Sequence, residues 1–345
     1  MISGNGGTKN VNMVEALNLA LHQGMEADER VLVMGEDVAR TGGVFRVTAG
    51  LLDKFGETRV VDTPLSESGI IGTAIGMSVY GLLPVPEIQF DAFTYPAFEQ
   101  IVVHAARYAW RTGGDVPASV VIRIPYGGGV RMPELHSDSP EAFFVHTPGL
   151  KVVCPSTPLD ALNMLLAAIA DPDPVIFMEP KKIYRAGRAE IPEEPPFALG
   201  NGRDEERINE TLARARIARE GSDLAIFAYG AMVPASIAAA ERIESDRGIS
   251  VRVVDLKSLY PLDVDAIVDA ASRCGRALVV HEAPRTAGIG AEVSSLIHER
   301  AMLDLEAPVG RVTGFDVPFP QFANENDYLP SVSRIVAGAV KVLDF

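Results

Sequence analysis

Cysteine is scarce in this sequence: Cys154 and Cys274 stand alone among 345 residues, far apart from one another. With no CxxC pair and no Cys/His cluster, zinc and iron–sulfur sites are excluded, and two lone thiols fit a reducing cytoplasm, where the chain is expected to work. No apolar run approaches the roughly 18 residues of a membrane span. The opening residues, MISGNGGTKN, lack the hydrophobic stretch of a secretory signal. Positive charge is also in short supply. Against 46 Asp and Glu there are 31 Lys and Arg, a net charge of −15 and a pI near 4.9. Such a chain is a poor candidate for nucleic acid or an anionic membrane, and could attract a basic partner. Short internal repeats and low-complexity segments are missing too.

What is present is apolar residue, 47% of the chain, enough to bury large cores over a length comfortable for two α/β domains. Met13, Ala16, Leu17, Ala20, Leu21 and Met25 recur at helical spacing, and a β-rich run follows over Val31 to Met34. Further strands are expected at Val60–Val61, Val85–Phe90, Val120–Ile124, Val152–Val153 and Val175–Met178. Helices are expected over Glu67–Gly81, from Pro96 to the Gly113-Gly114 stop, and over Leu159–Ala170. Strands that are apolar throughout and alternate with helices argue for a parallel sheet covered on both faces. Residues 191–221 bring Pro192, Pro195 and Pro196 and then mixed charges. This stretch reads as a linker with an irregular or short-stranded return. A second α/β unit follows, with strands at Leu224–Tyr229, Val251–Val254, Ala277–His281 and Val309–Val312. The expected division is residues 1–190, a linker over 191–221, and a second domain over 222–345.

The segment most charged with chemistry is Asp62-Thr63-Pro64-Leu65-Ser66-Glu67-Ser68-Gly69, where a strand hands over to a helix. Glu67 alone is a first-turn glutamate of the kind the helix dipole favours. The glycines after it, Gly69, Gly72 and Gly76, let another backbone or subunit come close. A glutamate beside such an interface would be desolvated, its pKa raised, and fit to exchange a proton with a heterocyclic nitrogen. Gly127-Gly128-Gly129 lacks a GxxxxGK pattern and reads as a flexible active-site loop rather than a phosphate cradle. His146 reads as structural, and His281-Glu282, at a strand end, as a support for subunit contacts.

Many segments stand together in register: GED (35–37), GGVFRVTAGL (42–51), DTPLSESGIIGTAIG (62–76), PVPEIQF (84–90), ELHSDSPEAFF (134–144), FMEPKKIYR (177–185), AYGAMV (228–233), VVDLKSLYPLD (253–263), HEAPRTAGIGAEV (281–293) and LEAPVGRVTGFDVPFP (305–320). Through them the chain, over nearly its whole length, resembles the β subunit of the E1 component of 2-oxo acid dehydrogenase complexes, of pyruvate or branched-chain type. The resemblance implies a thiamin-diphosphate pyrimidine-binding domain followed by a transketolase C-terminal-like domain. It also implies an α2β2 heterotetramer with thiamin diphosphate bound where the α and β subunits meet, and an E2 acyltransferase as further partner through its binding and lipoyl domains. Thiamin enzymes hold the diphosphate through Mg²⁺ with a Gly-Asp-Gly motif. This chain has none, so Mg²⁺ and the phosphate half of the site are expected from the α subunit.

Residue by residue, the resemblance assigns Glu67 to N1′ of the aminopyrimidine, where it promotes loss of the C2 proton, and His136 to the loop histidine that reaches the active site. Glu36 and Leu65 match cofactor-contacting positions. Gln89 and Phe90 end a strand facing the pyrimidine, where an aromatic ring can stack. Phe93 stands where relatives often have tyrosine, which puts any hydrogen bond from that position in doubt. Ala168, Asp171 and Asp173 match a region that holds a structural K⁺ in relatives, the alternative being a capped helix end. PELHSDS and PSTP (155–158) are similar to pyruvate enzymes, SPEAFFVH and EPKKIYR to branched-chain ones, so the substrate stays open between them. Rival readings are an acetoin dehydrogenase β subunit, a self-sufficient thiamin enzyme and a catalytically silent structural paralogue.

Overall fold

A computed structural model of the chain describes residues 7–192, 197, 199 and 204–345. Within the expected linker, residues 193–196, 198 and 200–203 lie outside the described residues. In chain order the strands are β1 (Thr8–Val11), β2 (Val31–Gly35), β3 (Val60–Asp62), β4 (Leu83–Glu87), β5 (Val121–Tyr126), β6 (Lys151–Val153), β7 (Val175–Pro180), β8 (Ala189–Pro192), β9 (Arg216–Arg219), β10 (Leu224–Ala228), β11 (Val251–Asp255), β12 (Ser258–Tyr260), β13 (Ala277–Val280) and β14 (Gly310–Val312). The first sheet runs β12-β6-β7-β5-β4-β2-β3, and all its neighbours are parallel except β12. The second runs β14-β13-β10-β11-β9, parallel except for β9 at its edge. β1 and β8 form a separate antiparallel ribbon.

The central strands are apolar on both faces because both faces are covered: every residue of β2, β5, β7, β10 and β13 is buried. The helix Met13–Ala27 starts with a capping box, in which Asn12 accepts from the Glu15 N–H while the Glu15 carboxylate accepts from the Asn12 N–H. Its apolar stripe packs on the helix Pro158–Ala170, which Thr157 caps and Pro158 opens. The two axes come close at Gly24, where an added methyl would lie 3.1 Å from Ile169 Cδ1. Fully buried Leu17, Leu21, Leu162 and Leu166 line this seam, each worth about 1.5–3 kcal/mol in burial.

Three features depart from the sequence pattern. Ser258–Tyr260 lies deep in the second domain's sequence, yet as β12 it adds an edge strand to the first sheet, with the Cys154 N–H on the Lys257 carbonyl at 2.7 Å. Within 191–221, Glu205–Ala213 is helical and β9 joins the second sheet. The expected helix from Pro96 belongs to a continuous helical stretch from Asp91 to Arg111 whose winding changes along its length, with one π segment at Gln100–His104.

Candidate active site

The parallel strands of the first sheet end together, and the loops after β2, β3, β4, β5 and β7 carry the candidate residues, as is usual at the carboxyl ends of such strands. After β2 the chain turns sharply through Gly35, where an added Cβ would meet the Glu87 carbonyl at 2.7 Å, and through Asp37 at φ 59°. Asp62, closing β3, accepts the N–H groups of Ala39 (2.6 Å) and Arg40 (3.2 Å), tying this turn to the DTPLSE segment. The tie brings Glu36 and Glu67 within each other's field. Burial, then the Glu67 charge, then Asp37 push the Glu36 carboxyl above the ordinary glutamate range. Glu67 is the first residue of the helix Glu67–Val79 and only 8% exposed. No hydrogen-bond donor among the described residues reaches its carboxylate. Leu65 beside it is 78% exposed. Gly69 and Gly76 face outward, with nothing within 4 Å of a methyl built on Gly76. A largely buried glutamate whose carboxylate takes no donor from the described residues and reaches the surface at the rim of an open face fits an aminopyrimidine nitrogen brought in from that side.

The second half of the cluster is aromatic. Gln89 donates to the Glu36 carbonyl (3.3 Å) and to Asp37 (3.2 Å), so it braces the β2 turn. The Phe90 ring is buried, with His136 tilted on it at 4.3 Å between centroids, edge contacts to Phe45 and Phe93 at 5.7 Å, and the Lys181 ammonium 5.4 Å from its centre. Little of that face remains for a cofactor ring. Phe93 is half-buried and packs edge-on against His136 at 5.0 Å. The imidazole also points Nδ1 at the Glu134 carbonyl, 2.9 Å away. Leu135, just before it, is held at φ 67°, a strained left-handed conformation for leucine.

Residues that sequence reasoning missed hold this loop. Lys181 Nζ donates to Asp91 Oδ2 (2.5 Å) and to the His136 carbonyl (2.6 Å), and Asp91 Oδ1 accepts the Asp138 N–H (2.8 Å). The pair is fully buried, and burial pushes the Asp91 carboxyl up to about 6 and the Lys181 ammonium down. Deeper, Arg123 donates to Glu179 through Nε (2.7 Å) and Nη2 (2.9 Å) and to Glu87 through Nη1 (2.7 Å), and Tyr184 caps Glu179. Charged residues inside apolar strands, as in VIRIPY and IFMEP, were the available signal, because such charges persist in cores only when paired.

Three expectations need amending. Both Asp171 oxygens accept from Lys151 Nζ, at 2.8 and 2.6 Å, and the Ala168 carbonyl accepts the Asp171 N–H. With Asp173 also 3.2 Å from that ammonium, the cation at Ala168, Asp171 and Asp173 is Lys151, and the set as it stands does not fit a potassium ion. His281 and Glu282 cannot support subunit contacts, because both are buried inside this chain. His281 is pushed down to about 4 and Glu282 up to about 7, each first by burial. Gly127-Gly128-Gly129 is not a loose loop. Glu282 accepts the Gly128 N–H at 2.9 Å, Glu325 accepts the Gly129 N–H, and methyls at Gly127, Gly128 and Gly129 would strike Glu282, Phe319 and Lys182.

Fold and site define an α/β chain of the transketolase class: residues 9–187 match the transketolase pyrimidine binding domain, and residues 213–335 the transketolase C-terminal domain. Within that class the chain belongs to the E1 β-subunit family of 2-oxo acid dehydrogenases. It is 47% identical over 336 residues to the 3-methyl-2-oxobutanoate dehydrogenase subunit beta of Mycobacterium tuberculosis, covering 97% of this chain and 93% of that protein. It is also 47% identical over 335 residues to the pyruvate dehydrogenase E1 component subunit beta of Staphylococcus epidermidis, covering 97% and 99%. Among solved structures, a split-gene transketolase described as an inactive beta4 tetramer superposes with a TM-score of 0.75 at 23% identity, covering 97% of this chain and 98% of that one, a likeness of fold alone. Among the described residues no helix is long and apolar enough to cross a membrane.

Proposed function

We propose that this chain is the β subunit of a two-subunit E1 which, assembled as α2β2, decarboxylates a 2-oxo acid and passes the acyl group to the lipoyl group of an E2. The observation that carries the reading is the half-built site: a largely buried Glu67 whose carboxylate takes no donor from the described residues, opening onto exposed Leu65 and the glycine face of its helix. Such a face asks for a partner surface, and the Gly-Asp-Gly motif that would hold Mg²⁺ and diphosphate is absent from this sequence. Thiamin diphosphate, when bound, supplies the electron sink for decarboxylation. Glu67 would hold the proton at N1′ of the aminopyrimidine, with Glu36 beside it and Leu65 against the apolar side of the cofactor. Gln89 keeps the Glu36 turn in place, and Phe90 and Phe93 support the His136 ring. His136 would bind the substrate carboxylate or move a proton.

The second domain is assigned the docking of the E2 binding domain. Asp344 is engaged with Arg247, so the exposed Phe345 ring beside that pair is the group offered to a partner. The test is co-expression with an α subunit carrying Gly-Asp-Gly, followed by assays with pyruvate and with 3-methyl-2-oxobutanoate, thiamin diphosphate and Mg²⁺. Turnover of one of them by the assembled pair, and by neither subunit alone, is the expected result. An assembled pair inactive on both refutes the proposal.

A further inference from the structure

The loop bearing His136 is fixed at two places by two different domains. At its exit, the first domain holds it: Lys181 grips the His136 carbonyl, Asp91 takes the Asp138 N–H, and the Gly127 N–H closes the neck on the Asp138 carbonyl at 2.9 Å. At its entry, the second domain holds it. Glu282, just past β13, accepts the Gly128 N–H, and Glu325, in a separate helical turn, accepts the Gly129 N–H. Both carboxylates are buried, and a buried carboxylate given to a backbone N–H is a strong and specific clamp. The fit is close enough to require glycine. A methyl on Gly127 would lie 2.8 Å from Glu282 Oε1, and one on Gly128 would lie 2.5 Å from Phe319 Cζ, a ring itself packed edge-on against Tyr328 at 5.0 Å. Gly127 and Gly128 are therefore where the second domain packs on the loop, while at Gly129 it reaches only the N–H, the Cα facing Lys182 of the first domain.

We propose that Glu282 and Glu325 are positioning residues for the His136 loop, so that the second domain sets where the imidazole stands over Phe90 and Phe93. The inference rests on the role given above to His136, while its structural part can be read in the chain by itself. The strained backbone at Arg131 (φ 56°) and Leu135 (φ 67°), between the two clamps, is what such double fixing would have to maintain.

Two measurements test this. Hydrogen exchange on the full chain should show amides of residues 127–139 exchanging at least tenfold faster in Glu282→Ala, with β10 and β13 as protected as in the wild type. Glu282→Gln, which keeps an acceptor oxygen, should stay within threefold of the wild type. Loop protection within threefold of wild type in Glu282→Ala overturns the proposal. If that variant loses protection in β10 and β13 as well, Glu325→Ala applies the same criterion from the other clamp. In the assembled enzyme, Glu282→Ala should lower turnover, and Glu282→Ala/His136→Ala should be no more than twofold slower than His136→Ala alone, because the two changes act on one group. Multiplicative losses would overturn the link to His136. An assembled wild type without any 2-oxo acid turnover would instead sink the functional reading, and exchange would still decide the clamp.

Discussion

Replacing Glu67 by glutamine should separate function from stability. The carboxylate accepts no hydrogen bond from the described residues, so its loss leaves no donor orphaned. Two effects on stability remain, and they oppose each other. Removing a negative charge from the first turn of the helix Glu67–Val79 costs about 0.3–1 kcal/mol. Relieving the repulsion that helps push Glu36 up returns ~0.5–1 kcal/mol at a high effective dielectric. Glu67→Gln should thus melt in urea within about 1 kcal/mol of the wild type, the small remainder of those two terms. In the assembled enzyme the same change should slow decarboxylation by about 10²–10⁴, the usual contribution of a positioned proton-exchanging group, or roughly 3–5 kcal/mol of barrier. The pH dependence adds a sign. The folded chain protonates Glu36 more readily than the unfolded chain, so stability falls as pH rises from the ordinary glutamate range to the raised folded value. Glu67→Gln removes one cause of the shift and should flatten that fall, measured by urea midpoints at several pH values. A rate within threefold of wild type would mean that Glu67 is only a helix-start residue, and a stability loss above about 2 kcal/mol would mean that it holds the fold in a way these contacts do not account for.

Other perturbations follow from the same contacts. His136→Ala should spare cofactor binding and lower turnover, most visibly in acyl transfer measured with a lipoyl domain as acceptor; an unchanged overall rate returns His136 to a structural role. Lys181→Met leaves Asp91 buried without its cation and should cost about 3–5 kcal/mol in urea melts. Asp91→Asn/Lys181→Met should recover most of that loss, since the asparagine oxygen can still accept the Ala92 and Asp138 N–H groups. Deleting Phe345 alone, which spares the Asp344–Arg247 pair and the packing of Leu343, should weaken E2 binding in surface plasmon resonance through faster dissociation. Unchanged affinity places the docking surface elsewhere on the domain.

Periodicity made much of this legible. The strands of both parallel sheets and the helices Met13–Ala27 and Pro158–Ala170 stand close to where apolar spacing and caps put them. Short edge strands escaped: β1, β8, β9 and β12 have three or four residues each, too few for a period, and their partners lie far away in sequence. The motif glutamate and the loop histidine could be named from the sequence, because motif order carries their positions. Their supports could not be. Arg123 with Glu87 and Glu179, Lys181 with Asp91, and Glu282 with Gly128 pair across 36 to 154 positions, and only folding brings such partners together. The triple glycine shows the limit best. Glycine in a loop suggests freedom, whereas at Gly127 and Gly128 another domain leaves no room for a side chain, and at Gly129 Lys182 of the same domain fills the space.

The central claim is that this chain holds half of a cofactor site. Isothermal titration with thiamin diphosphate and Mg²⁺ tests it most directly, on the chain alone, on the assembled pair with its α subunit, and on the pair carrying Glu67→Ala. Heat of binding in the assembled pair, none with the chain alone, and weakened binding in the variant pair is the expected pattern. Micromolar binding by the chain alone would contradict it.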